Sequence, residues 1–186
     1  MTSKNDKSKN KKQLILDTAL ELFADNSYHA TSISMIAKVA GISKGLMYNY
    51  FDSKEILLNE VILTGMKEFM QILDTNKDGF LTEDEFESFL NSAVVLIKSN
   101  KNYWKLFYSL MMQSSVLEIS MNVVIEFTQQ YFITLSDYYR RHGSENPDAE
   151  AMLLTTTLDG VAIAYVNNPE MFPIDEMIKL IYKKFK

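Results

Sequence analysis

Apolar residues recur at three- and four-residue spacing along most of the chain, while strand-type alternation is scarce. Leu14, Ile15, Thr18, Ala19, Leu22 and Phe23 predict a first helix over about 11–25, closed at Asn26-Ser27. Thr31-Ser32 offers an N-cap to a second helix through Ile33, Ile36 and Ala37. Gly41 supplies a turn, and Ser43 caps a third short helix that ends near Tyr50. Ser53-Lys54-Glu55-Ile56 opens a longer helix to about Leu73. After a turn at Asp74, Thr82-Glu83-Asp84-Glu85 opens the next helix, through Phe86, Phe89, Leu90 and Ile97, and Asn100-Lys101-Asn102 breaks it. Further helices are expected at about 103–113, 116–141, 148–166 and 174–185, with Gly143, Pro147, Pro169 and Pro173 as punctuation. The pattern predicts an all-α fold of about nine helices.

Composition narrows the function classes. A chain of 186 residues, 47% of them apolar, supports one or two small domains with a buried core. There is no cysteine, which excludes a disulfide framework and thiolate chemistry and fits a reducing, cytoplasmic setting. Residues 1–10 are polar and lysine-rich, expected as a flexible basic tail, with no apolar stretch that would make a signal peptide. No run approaches 18 apolar residues, so no membrane span is expected. The two histidines, His29 and His142, form no paired metal motif, and no Ser/His/Asp order or glycine-rich phosphate loop points to an enzyme. Net charge is −5, but residues 1–54 carry +3 and residues 55–186 carry −8. A positive front on an acidic body fits a phosphate-binding head, or simply a solvated lysine tail.

A DNA-reading helix must be short, exposed on one face and held by apolar contacts on the other. Ile33, Ile36, Ala37, Val39, Ile42, Leu46 and Phe51 supply an inner face, and Gly41 allows the turn. Left over are Thr31, Ser32, Lys38, Ser43, Lys44, Gly45, Met47, Tyr48, Asn49 and Lys54, whose hydroxyls, ammoniums and amide suit phosphates and base edges.

These residues carry a resemblance. Leu14–Phe23, Thr31-Ser32-Ile33 with Ile36-Ala37, Ala40-Gly41-Ile42-Ser43-Lys44-Gly45, Tyr48-Asn49-Tyr50-Phe51 and Ser53-Lys54-Glu55-Ile56-Leu57 together resemble the tetracycline-repressor (TetR) family of transcriptional regulators. The resemblance implies a helix-turn-helix head over 11–56, then a helical regulatory and dimerisation body over 57–186 that binds a small-molecule effector. It also implies double-stranded DNA as partner and a homodimer. Thr31 and Ser32 would bond phosphate, as would Tyr48 and Lys54. Ser43, Lys44, Gly45, Met47, Tyr48 and Asn49 would lie in or beside the major groove, with Asn49 reading a base edge and Met47 either touching a thymine methyl or filling space. The chain departs from the family at Ser27, where glycine is usual before the aromatic Tyr28; Asn26 or Ser27 is expected to take the left-handed conformation.

A second motif competes with the first. Asp74, Asn76, Asp78, Phe80, Thr82 and Glu85 fall at positions 1, 3, 5, 7, 9 and 12 of an EF-hand-like loop over 74–85, with Gly79 at the sharp turn. Five side chains and the Phe80 carbonyl would offer oxygens to calcium; the alternative is an acidic connecting loop. In the body, Trp104, Phe107, Tyr108, Met111 and Met112 line one helix and Phe127, Tyr131, Ile133, Leu135 and Tyr138 the next. These read as packed core, but eleven methionines and many tyrosines also suit an adaptable cavity, with Tyr108, Gln113, Tyr131 and Tyr165 as candidate ligand contacts. The reading favoured by the sequence is a ligand-responsive DNA-binding regulator, a repressor acting as a homodimer; the competing reading is a calcium-binding helical sensor without DNA regulation.

Overall fold

The computed structural model describes residues 4–73, 75, 76 and 78–185. Among them the regular structure is helical throughout: α1 (Lys4–Asn26), α2 (Ile33–Val39), α3 (Lys44–Tyr48), α4 (Lys54–Leu73), α5 (Glu83–Ser99), α6 (Lys101–Met111), α7 (Ser114–Arg141), α8 (Pro147–Asn167) and α9 (Ile174–Phe185). The all-α expectation holds element by element. Helix starts follow local chemistry. The hydroxyls of Ser32, Ser43 and Ser53 accept from the backbone N–H of Met35, Leu46 and Ile56 at 3.1–3.2 Å. Thr82 and Glu85 close a reciprocal capping box at the head of α5. The first helix differs from expectation. The chain is already helical at Lys4, the first described residue, rather than from near residue 11; no glycine or proline interrupts it there, and lysine is a good helix former.

The helices divide into two compact units, Met1–Gly65 with Lys105–Met121 and Met66–Trp104 with Asn122–Lys186. The first unit therefore runs past the expected boundary at residue 56. Its core joins Ile15, Ala19 and Phe23 of α1 to Ile36 of α2, Met47 of α3 and Leu57, Leu58 and Ile62 of α4, all essentially without solvent exposure. Each of these side chains larger than alanine stabilises the fold by about 1.5–3 kcal/mol relative to exposure. Between α1 and α2 the backbone turns through Ser27 at φ 70°, the left-handed residue expected there. Gly41, between α2 and α3, sits at φ 66°.

The second unit centres on Phe69, whose ring meets Phe89, Trp104, Phe127 and Tyr131 edge-on at 5.3–5.8 Å. Phe86 stacks on Tyr138 at 4.7 Å. Helix α8 buries Ala151, Leu154, Leu158, Val161 and Ala162, yet Met152, Leu153 and Ile163 on its other sides are exposed. The same is true of Leu180 on α9. By length and composition α8 could cross a bilayer, which the sequence reading did not anticipate, because Thr155, Thr156 and Thr157 interrupt its apolar run without adding charge. Those hydroxyls donate to carbonyls one turn back in the same helix.

Truncating Phe69 removes the hub of the second core. Phe69→Ala is expected to lower stability by about 3–5 kcal/mol in urea unfolding; a loss below about 1 kcal/mol would show that the aromatic cluster does not organise that unit.

Candidate nucleic-acid interface

Helix α3 is only five residues long and would not persist alone. Three features hold it. Ser43 caps its start, Met47 inserts from its inner side with no exposure, and Phe51 follows as a buried anchor. The turn before it is fixed by Gly41 N–H donating to Lys38 O at 3.3 Å and Ile42 N–H to Ala37 O at 3.0 Å. With Met47 inward, the helical period turns Lys44, Gly45 and Tyr48 outward, and all three are exposed, as are Ser43 and Asn49 at the two caps. The Lys44 ammonium lies 6.0 Å from the Tyr48 ring centre. A Cβ added at Gly45 would meet nothing within 4 Å, and Gly45 does not have the positive φ of a turn glycine. Nothing inside the protein requires glycine there, whereas a partner approaching the backbone closely would. Ser32 is also exposed, at the start of α2.

Three of the nine expected DNA contacts point the other way. Thr31 is 1% exposed, and its hydroxyl donates to Leu22 O at 3.0 Å and Ser27 O at 2.8 Å. It locks the loop between α1 and α2 and leaves the cap of α2 to Ser32. Met47 is wholly buried, so of its two readings the structure takes the filling of space. The Lys54 ammonium donates to Tyr28 O at 2.9 Å and Thr31 O at 3.0 Å and lies 4.1 Å from the Tyr28 ring centre. Its charge is committed to the loop. The Tyr28 hydroxyl donates to Glu55 at 3.2 Å. Burial, reinforced by the Glu55 charge, pushes the Tyr28 phenol well up, so it stays a donor at neutral pH. Glu55 is held below the usual carboxylate range, first by its own backbone N–H and then by Ser53. Conversely, Lys38 is exposed in the last turn of α2 but is not among the residues carried over from the family; its signal is the helical period, which sets it opposite Ile33 and Ala37.

The acidic loop lies in the second unit, and its first position, Asp74, falls outside the described residues. The remaining members bond to one another and to the backbone. Asn76 accepts from Asp78 N–H at 3.0 Å, Asp78 accepts from Phe80 N–H at 2.8 Å, and Gly79 takes φ 81°. Glu85 accepts from both the N–H and the hydroxyl of Thr82, at 3.0 and 2.8 Å, so its carboxylate serves the α5 cap. Among the described residues no three His, Asp or Glu converge on a point that could hold a metal. The end of the loop is fastened to α7, where Arg141 donates to Leu81 O at 3.1 Å and lies 5.2 Å from the Phe80 ring centre.

The four candidate ligand contacts divide between the units, Tyr108 and Gln113 in the first, Tyr131 and Tyr165 in the second. Gln113 is tied to Ser109 O at 3.0 Å. Tyr131 is buried beside Phe69, Phe89 and Phe127, and burial pushes its phenol up. It packs as core. Tyr165 is half-buried on α8.

Residues 15–61 match the family model for bacterial regulatory proteins of the tetR family. The head is thus similar to the tetR family over residues 15–61. The chain is 46% identical over 72 residues to the helix-turn-helix-type transcriptional regulator YuxN of Bacillus subtilis, a match covering 38% of this chain and 25% of YuxN. It is 28% identical over 142 residues to the transcriptional regulator QacR of Staphylococcus aureus, covering 76% of this chain and 66% of QacR. The matches thus span from a quarter to just under two thirds of these relatives. Over nearly the whole chain there is also similarity in fold. The crystal structure of the transcriptional regulator FadR from Bacillus subtilis in complex with stearoyl-CoA aligns with a TM-score of 0.75 at 18% identity, over 93% of this chain and 96% of that one.

Within the head, inward and outward residues should respond differently to substitution. Thr31→Val is expected to lower head stability by about 0.5–1.5 kcal/mol, since the Leu22 and Ser27 carbonyls lose a donor. Lys44→Ala should change stability by no more than about 0.5 kcal/mol. Thermal unfolding of both variants checks this, and equal shifts would contradict the division.

Proposed function

We propose that this protein is a sequence-specific, duplex-DNA-binding transcriptional regulator that acts as a homodimer in the cytoplasm and responds to a small-molecule effector. The observation that carries the reading is α3: a short helix pinned by Met47 and capped by Ser43, with Lys44, Gly45, Tyr48 and Asn49 on its free side. Ser32 and Lys38 extend that polar surface onto α2. Lysine and the exposed hydroxyls suit phosphate oxygens, and the Asn49 amide suits an adenine edge. The matched family model over residues 15–61 supports the same role.

Two heads are needed to read two half-sites, and the exposed apolar residues Met152, Leu153 and Ile163 of α8 with Leu180 of α9 support self-association through these helices. An effector fits the body by analogy with FadR, whose structure was solved with stearoyl-CoA.

Calcium at 74–85 is a separate part of the proposal. It rests on the oxygen donors at alternating positions and on Gly79 in the left-handed turn. Oxygen-only donors suit a hard cation, and occupation requires Glu85 to leave the Thr82 cap. Glu85→Gln separates the two roles, since glutamine keeps the capping box but loses the carboxylate. Calorimetric titration of the parent with calcium should release or absorb heat that the variant does not; equal heats in both remove the site.

For DNA, the expected result on a duplex recovered by in-vitro selection is preference over a scrambled duplex. Lys44→Ala should weaken binding and reduce the slope of log K against log salt by about 0.9. Unchanged affinity and slope would remove Lys44 from the interface.

A further inference from the structure

Among the described residues the head sets a lysine ammonium against a tyrosine ring twice, and the two pairs differ in what else the ammonium touches. Lys54 lies 4.1 Å from the Tyr28 ring centre and gives its donors to Tyr28 O and Thr31 O. Lys44 lies 6.0 Å from the Tyr48 ring centre, and no carbonyl or carboxylate of the described residues takes its donors. The pairing follows from the helix. Residues 44 and 48 stand one turn apart on α3, on the same ridge. Helical side chains lean toward the N-terminus, so the Tyr48 ring reaches back over the turn that carries Lys44. Gly45 beside them has no side chain to compete for that space. The support is fixed, because Ser43 caps the helix and buried Met47 pins it. Helix α3 itself gains little from either residue. A lysine in the first turn opposes the helix dipole, and tyrosine forms helix less readily than leucine. Both are exposed, Tyr48 at 43%.

We propose that Tyr48 is a positioning residue for phosphate: its ring holds the Lys44 ammonium on the outer side of α3, with N–H donors left for a phosphate oxygen. The inference rests on the DNA-binding reading given above, and it gives Tyr48 a role through its ring that is separate from any contact by its hydroxyl. A lysine held in this way has less side-chain freedom to lose on binding, so the phosphate contact tightens with no added charge. A cation–ring contact at an exposed site changes an equilibrium by about 2–5-fold. Its signature is an effect of the ring that exists only while the ammonium is present.

The test compares Tyr48→Phe with Tyr48→Leu, each made with Lys44 present and in a Lys44→Ala background. Phenylalanine keeps the ring and loses the hydroxyl. Leucine loses both and is the better helix former, so weaker binding by that variant cannot come from a frayed α3. Fluorescence anisotropy with a selected duplex, at salt low enough to keep every variant measurable, gives the four dissociation constants. With Lys44 present, Tyr48→Leu is expected to bind about 2–5-fold more weakly than Tyr48→Phe. In the Lys44→Ala background the two should bind alike, because the ring then has no ammonium to hold. Equal binding by the two variants when Lys44 is present, or the same ratio in both backgrounds, overturns the positioning role while leaving the head's DNA binding intact. A parent that prefers no selected duplex over its scrambled counterpart overturns the DNA-binding reading itself, and the positioning role with it.

Discussion

Lys54 stands in the first turn of a helix, where the backbone dipole disfavours a cation. The head depends on how that cost is met. Its ammonium takes two carbonyls, from Tyr28 and Thr31, and the face of the Tyr28 ring, so the loop between α1 and α2 is gathered onto the start of α4. Glu55, next along, restores the negative charge the helix start favours and accepts from the Tyr28 hydroxyl. Thr31 then bonds back to Leu22 and Ser27, which holds Ser27 in its left-handed conformation. These contacts join α1, its loop and α4 into a frame, and α2 and α3 are set within it.

That frame explains how so small a pair of helices can be rigid. Neither α2 nor α3 is long enough to be stable on its own. Buried Ile36 and Met47 hold them from one side, and serine caps satisfy their first N–H groups. The opposite side is left free of internal obligations. The same alternation assigns chemistry: hydroxyls and cations that turn inward are structural, while those that turn outward are available to a partner. In the second unit the aromatic cluster around Phe69 has the corresponding role, and the exposed apolar side chains of α8 and α9 are what that core leaves uncovered.

Much of this was legible in the residues. Helical spacing, serine caps, Gly41 and the left-handed step at Asn26-Ser27 are local signals, and local chemistry decides them. Harder to read was which polar residues face inward. Thr31 and Lys54 look like phosphate ligands because they are a hydroxyl and a cation at helix starts. Their partners lie 9 and 26 residues away in sequence, so only the tertiary arrangement reveals that they are already used. Met47 is ambiguous for the same reason. The helicity of residues 4–10 was obscured by composition, since a polar lysine-rich stretch reads as tail unless something holds it, and here Ser8 and Lys12 do. The body was read least well, because Tyr131 in a core and a tyrosine in a cavity have the same sequence signature.

The central claim is the division of the head's cations into one that holds the frame and others that meet DNA. Lysine reactivity read by mass spectrometry tests it most directly, using brief acetylation of the protein with and without a selected duplex. The account predicts that Lys44 reacts readily in the free protein and is protected by DNA, while Lys54 reacts slowly in both states. Rapid labelling of Lys54 that DNA suppresses, with Lys44 indifferent to DNA, would contradict it.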